Sequence, residues 1–402
     1  MNSLQNRNMH HLRILSCDIG SRPIGTKANT KASDYIAEIF RNAGLEVETQ
    51  EFEVPNWVNS GSILTINGES FNVRTNTFSA PCEITAEIIP FCTIEELESY
   101  PELTNKIAFL YGELTMENLV PKGFTIYNPE HHRHIISLLE QKKPSAVITV
   151  RMQKENDLPL FNDWDFNIPS VTVTPEIGLM IFKNLESASV QLIIDSKRNP
   201  GRTKNIIGRL GGRREERIIL SAHYDTVFGT NGAFDNASGV SVLLTLAEQI
   251  ANRTNLETGF EFVAFSSEEY LGLGDQIYVS KNNEDFQKVL VAMNFDGIGQ
   301  AIGTNNITLM SGSDELRNEL ITLKKRHPAI QWTNPWYESN HITFFSCGVP
   351  SIPFSCNGVS NLLHTKEDQI EWISSAKLHE VYTLAVEIID KLQSKKIEWT
   401  RI

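Results

Sequence analysis

The sequence predicts an α/β fold interrupted by a second, β-rich domain, and three observations carry that expectation. From about Asn205 onward, short apolar runs alternate with helix-patterned segments, the rhythm of strands covered by helices. The opening of the chain reads as helix then strand, so it belongs with that alternating part. Between them lies a stretch of different character, and 402 residues are long for one simple core.

The elements follow in order. In "TKASDYIAEIFRNAGLEVETQEFEVP", Tyr35, Ile36, Ile39, Phe40 and Leu45 keep roughly helical spacing. Asn42 and Gly44 supply a stop, and "EVETQEFEV" then alternates as a strand. From Val58 to about Pro200 come the short β-like runs "ILTI", "KIAFLYG", "SAVITV", "SVTVT" and "VQLIID", most of the prolines, and one helix pattern, "HRHIISLLEQKK". The polar, turn-rich "SKRNPGRTKN", Ser196 to Asn205, is expected as a boundary. The domains are therefore expected at residues 1–57 with 200–402, and at 58–199.

Bulk properties narrow the function. A net charge of −13 argues against nucleic acid or an anionic membrane as partner, because both reward clustered Lys and Arg. The start, "MNSLQNRNMHHLRIL", lacks an apolar signal-peptide segment, and no run approaches a membrane span, so a cytoplasmic protein is expected. Five cysteines without CxxC spacing read as reduced, mostly buried thiols rather than a disulfide framework or a structural zinc site.

Chemistry gathers at strand ends. "RIILSA" runs into His223, "GFEFVAFSS" into Glu268 and "VLVAMNF" into Asp296. In open α/β sheets functional groups collect beyond the carboxyl ends of the strands, so three such endings on one rim weigh more than any one. Asp235 stands where "DNASGVSVLLTLAEQIAN" begins, a helix with Val240, Leu243, Leu244, Ala247 and Ile250 on one face. Taken singly, His223 reads as a structural histidine, Asp235 as a helix cap, and Glu268 with Glu269 as a solvated acidic pair. Together with His364 they offer the oxygen and nitrogen ligands of a metal pair, one carboxylate able to bridge, and a base off the metal. Asp225, two residues after His223, projects to the same side in extended backbone, which suits a carboxylate fixing the tautomer of a bound imidazole.

These residues carry a resemblance. "HYD", "GAFDNASG", "FSSEEYLGLGD", "NFDGIG" and "HTKED" resemble, in order, the motifs of the co-catalytic zinc aminopeptidases, whose relatives include glutamate carboxypeptidases and glutaminyl cyclases. "SRPIGTKANTKASDYIAEIF" is similar to that family's first helix and its approach. Two departures stand out: "YLGLGD" differs from the usual Gly-Leu-x-Gly-Ser, and "SNHITFFSCGVPSI" has Asn340 where the family's Ser-Asp-His stretch has Asp.

The resemblance implies a helix-flanked mixed β-sheet with a protease-associated-like insert at 58–199, shading the cleft. It implies two zinc ions, with manganese or cobalt as substitutes: Asp235 bridging, Glu269 and His364 completing one ion, His223 and Asp296 the other. Glu268 corresponds to the general base. Tyr337 and His341 are candidates for the substrate side, and Trp336, Phe344 and Phe345 line a pocket or the core. The implied activity is an aminopeptidase acting on peptide; a carboxypeptidase or aminoacyl amidohydrolase on the same site, or an inactive binding protein on this fold, are the alternatives. His131, His132 and His134 in "EHHRH" are expected as surface residues, and His10, His11, His327 and His379 as structural ones. Oligomeric state is left open.

Overall fold

The computed structural model describes residues 3–124, 128–151, 159–185, 190–282, 285–358 and 362–401. The chain forms two compact units, residues 1–54 with 201–402 and residues 55–200. Two long strands, Glu46–Ile66 and Val190–Leu210, contribute residues to both. The second of these corrects one expectation: the segment Ser196–Asn205 is extended strand, not a turn. Its polar residues alternate with buried Ser196, Thr203 and Asn205, and Arg198 donates to the carbonyls of Phe78, Trp164 and Phe166. Turn-forming composition was overridden by tertiary hydrogen bonds.

The first unit is built on a mixed sheet. Its strand order is Gln331–Trp332, Thr304–Ile307, Ser351–Asn357, Val289–Phe295, Arg217–His223, Gly259–Phe265 and then the end of Val190–Leu210. The four central strands, from Ser351–Asn357 to Gly259–Phe265, are mutually parallel, whereas Val190–Leu210 and Thr304–Ile307 flank them antiparallel. Successive residues of one strand face opposite sides. Ile218, Leu220 and Ala222 meet Ile36 and Phe40 of the helix Lys27–Asn42, Val240, Leu243, Leu244, Ala247 and Ile250 of Ser238–Ala251, and Leu378, Val381 and Leu384 of Ser375–Leu392. On the other side Ile219, Val263 and Phe265 pack against Tyr278, Phe286 and Phe344. Burial on both faces explains why these strands read as continuous apolar runs.

The start of Ser238–Ala251 is set by a close approach. A Cβ at Gly239 would lie 2.1 Å from the carbonyl oxygen of Phe295, so only glycine lets this helix begin against the strand that leads to Asp296.

The second unit carries its own sheet, ordered from the start of Val190–Leu210 through Cys82–Phe91, Lys106–Leu110, Ala146–Val150 and Ser170–Val173 to Arg74–Thr75. Among the described residues three α-helices accompany it, Ile94–Ser99, Glu130–Lys142 and Pro175–Lys183, of which only the second was expected. All five cysteines are free; Cys17 is exposed and the other four are half-buried, so they are less enclosed than composition suggested. No helix among the described residues is long and apolar enough to cross a membrane.

A helix at Ser3–Arg13, absent from the expected elements, opens the first unit. It is tied to Ser238–Ala251 by Glu248: Arg7 Nε donates to Oε2 at 2.7 Å and Arg7 Nη2 pairs with Oε1. His11, fully buried, sits 3.3 Å from the same carboxylate and 2.6 Å from the Tyr35 hydroxyl. Burial alone would raise Glu248, but Arg7 and His11 outweigh it and pull the group from 4.5 down to about 2. A depressed carboxylate stabilises the fold above its unfolded value, and that contribution disappears as pH falls from about 4.5 toward 2. Glu248→Gln should cost about 1 kcal/mol at pH 7 and little at pH 2, as read by thermal unfolding at the two pH values.

Candidate metal centre

Four parallel strands aim their carboxyl ends at one rim. Arg217–His223 ends on His223, Val289–Phe295 is followed by Asp296, and Gly259–Phe265 leads through Ser266 and Ser267 to Glu268 and Glu269. Ser267 takes φ +66°, and His364, beyond Ser351–Asn357, takes φ +61°. Left-handed backbone at non-glycine residues costs energy and concentrates at functional sites. Asp235 lies in the turn Ala233–Ala237 before its helix, and its peptide bond to Asn236 is cis.

The side chains meet. His223 Nε2 lies 3.1 Å from Asp235 Oδ1, 3.3 Å from Asp296 Oδ1 and 3.9 Å from Glu268 Oε2. His364 Nε2 lies 3.1 Å from Asp235 Oδ2 and 3.0 Å from Glu269 Oε2. The result is two three-residue clusters, His223–Asp235–Asp296 and Asp235–Glu269–His364, that share Asp235 through different oxygens.

Hydrogen bonding alone does not account for this packing. One imidazole nitrogen carries at most one proton, yet His223 Nε2 faces three carboxylates. Ligand atoms around a tetrahedral ion with bonds of ~2.0–2.1 Å stand about 3.3 Å apart, which is the spacing observed. Asp225, Asp235, Glu268, Glu269 and Asp296 bring five carboxylates to two imidazoles, an excess of negative charge that is costly without cations. The donor set therefore fits divalent metal.

The surroundings shift these groups in opposite directions. Burial would lower His223, but Asp296, Glu268, Asp225 and Asp235 hold it well above its usual range. His364 is likewise held up, against burial, by Glu269 and Asp235. Asp235 is held below the carboxylate range by the two histidines, in opposition to burial. Burial, reinforced by Asp296, Glu269 and Asp235, pushes Glu268 well up. Glu269 is raised by burial and Asp235, against His364. Asp225 lies beside His223 Nδ1, but at 3.7 Å it is beyond hydrogen-bond length, and its Oδ1 accepts the Glu268 backbone N–H at 3.3 Å.

Residues 205–389, which include both clusters, match the model of peptidase family M28. The match takes in just under half of the chain. Aminopeptidase YwaD of Bacillus subtilis is 25% identical over 404 residues, spanning 95% of this chain and 83% of its own length. The probable lipoprotein aminopeptidase LpqL of Mycobacterium tuberculosis is 23% identical over 297 residues, 70% of this chain and 56% of its own. The chain spans about half the length of several other curated relatives, such as a probable leucine aminopeptidase 2 of Aspergillus oryzae at 55%. The solved structure of BSAP, a zinc aminopeptidase from Bacillus subtilis, shares the fold with a TM-score of 0.77 at 21% identity, covering 99% of this chain and 98% of that one.

Two buried charges that frame this centre carry no signal of that role in the sequence pattern. Arg22, outside the matched segment, is fully buried and donates to the carbonyls of Tyr224 at 2.6 Å, Asn231 at 2.7 Å and Gly232 at 2.9 Å. It thereby clamps the loop that joins His223 to Asp235. Burial pulls Arg22 down to about 10, against the field of Asp368, Asp225, Asp235 and Glu269. Asp368, last residue of "HTKED", accepts the backbone N–H groups of Phe234 at 2.7 Å and Asp235 at 3.0 Å. Burial raises it to about 7. Nothing in "SRPIG" marks Arg22 as buried, because arginine is a residue type rarely found fully enclosed.

The remaining candidates are placed elsewhere. Tyr337 is 60% exposed, with its ring against Phe345. His341 is fully buried and donates from Nε2 to the Trp336 carbonyl at 2.7 Å; Phe344 belongs to the core. His131 and His134 are exposed as expected, but His132 is buried, which corrects its assignment to the surface. Its Nε2 and that of His131 both lie 3.0 Å from Glu117 Oε1, so in the second unit these three also have metal-like spacing. The protons decide otherwise. Val120 N–H donates to His132 Nδ1 at 3.2 Å, so in the neutral ring the hydrogen sits on Nε2 and points at Glu117.

Arg22→Met should leave several buried carbonyls unpaired and lower stability by about 3 kcal/mol or more, as read by urea denaturation. A loss within ~0.5 kcal/mol would mean the clamp is idle.

Proposed function

We propose that the chain is a zinc-dependent aminopeptidase that removes N-terminal residues from peptides. The single observation that carries the reading is Asp235, whose two oxygens each lie 3.1 Å from a different imidazole. The aminopeptidase names of relatives such as YwaD, and the zinc of the BSAP title, support it. In this reading Asp235 is shared by two ions, with His223 and Asp296 holding one and Glu269 and His364 the other; manganese or cobalt would suit the same donors. Residues 58–199 are read as the inserted protease-associated-like domain.

Zinc bound there would supply Lewis-acid polarisation of the scissile carbonyl and acidify a water. The chain's own work falls first to Glu268. Its carboxylate, raised by burial and by neighbouring acids, is suited to take a proton from the attacking water and return it to the leaving amine. Asp225 fixes the Glu268 backbone through its N–H and stands beside Nδ1 of His223. Arg22 and Asp368 hold the loop on which Asp235 rides. Exposed Tyr337, with buried His341 behind it in the sequence, is assigned the substrate side.

Elemental analysis should find about two transition-metal ions per chain. Asp235→Ala should lose both, and His364→Ala one; near-zero metal after zinc repletion would end the reading. Glu268→Gln should slow hydrolysis of small aminoacyl amides by about 10²–10⁴-fold while keeping its metal, and N-blocked analogues should resist the native chain. A Glu268→Gln variant that keeps most of its turnover would remove Glu268 from its role.

A further inference from the structure

Asp275 is a buried carboxylate near the start of the helix Leu273–Asn282, and among the described residues no Lys, Arg or His lies within ion-pair distance of it. Its partners are neutral. Asn340 Nδ2 donates to both its oxygens at 2.9 Å, and Thr343 Oγ1 to one at 2.5 Å. Asn340 and Thr343 are themselves buried.

Asp275 and Asn340 lie in the two stretches where the chain departs from the motifs it resembles. Asp275 closes "YLGLGD" where that turn otherwise has serine, and Asn340 stands where the Ser-Asp-His stretch has aspartate. The two departures touch. With an aspartate at position 340 opposite Asp275, two carboxylates would face each other in a nearly dry contact, and one would have to be neutralised. A carboxylate on one side requires a donor on the other.

The contact lies between two segments that carry the site. On one side, Gly274 packs so closely on Ser266 that a Cβ would come within 2.1 Å of the Ser266 carbonyl oxygen, and Asn205 joins the two through bonds to Gly274 O at 2.8 Å and Ser266 N at 3.2 Å. Glu268 and Glu269 follow Ser266 after one intervening residue, Ser267. On the other side, Ser339 accepts from Asn294 Nδ2 at 2.9 Å, and Asn294 Oδ1 accepts from Ser221 Oγ at 2.8 Å. Asn294 and Ser221 each precede a cluster residue by two, Asp296 and His223.

We propose that Asp275 and Asn340 are an exchanged pair, the carboxylate having moved across the contact, and that this contact positions the Glu268–Glu269 turn against the strand ends bearing Asp296 and His223. The proposal rests on the metal-site reading only for its binding arm.

The test is a cycle in the full chain: D275S, N340D and D275S/N340D. Thermal midpoints, read without substrate, should fall by about 4 °C or more in each single variant and return in the double one. Zinc affinity, measured by chelator competition well below every midpoint, should weaken about tenfold in the single variants and recover in the double one. Losses that add in the double variant overturn the exchange. Lower midpoints with unchanged zinc affinity overturn the positioning role and leave a merely structural contact. If the native chain binds no zinc, the metal reading fails by itself, and the midpoint cycle still decides the exchange.

Discussion

Excess negative charge at the end of a parallel sheet is the constraint on which the first unit turns. Five carboxylates converge on two imidazoles, and among the described residues of the unit only Arg22 approaches them as a permanent buried cation. Its guanidinium is spent on backbone carbonyls rather than on any carboxylate, so it shapes the loop and contributes field without neutralising a ligand. The remaining imbalance has to be met by protons or by divalent ions. Asp235 is kept below the usual carboxylate range and Glu268 well above it, which leaves the shared carboxylate charged and gives the unshared one the affinity for a proton. In the proposed reading, that difference separates a ligand from a base.

The backbone enforces the convergence through close contacts more than through side-chain bulk. Gly239 sets the helix after Asp235 onto the strand of Asp296, and Gly274 sets the helix after Glu269 back onto Ser266. Positive φ at Ser267 and His364 turns the chain sharply at the two remaining approaches. With each ligand segment anchored on a neighbour, the spacing between Asp235 and the two histidines is fixed by packing and is not left to flexible side chains.

Much of this was legible in the sequence because it rests on local pattern. The runs before His223, Glu268 and Asp296 are continuous and apolar, as strands buried on both faces must be, and the ligand types at their ends survive as motifs. The illegible parts depend on distant partners. Ser196–Asn205 has turn composition but becomes strand because Arg198 finds three carbonyls far away in the chain. Ser3–Arg13 has no strong apolar face, and its place is set by Glu248, some 240 residues on. Arg22 belongs to a residue type that is rarely fully buried, so composition argued against the role the fold gives it. Asp225 was legible as a neighbour of His223 but not as the acceptor for the Glu268 backbone, a contact between two strands.

The two histidine–carboxylate groupings show why spacing is not enough to name a metal site. Around Glu117 the distances match those around Asp235, and residue types alone would not separate them. The difference lies on the far side of each ring. His132 has a backbone N–H at Nδ1, which places the hydrogen on Nε2 and makes that nitrogen a donor to Glu117. Among the described residues nothing donates to His223 Nδ1, and the Asp225 carboxylate lies 3.7 Å from it, an environment that favours a hydrogen there and leaves the Nε2 lone pair for an ion. The second atom of each imidazole is what separates a hydrogen-bonded grouping around Glu117 from one around Asp235 whose donor set suits an ion.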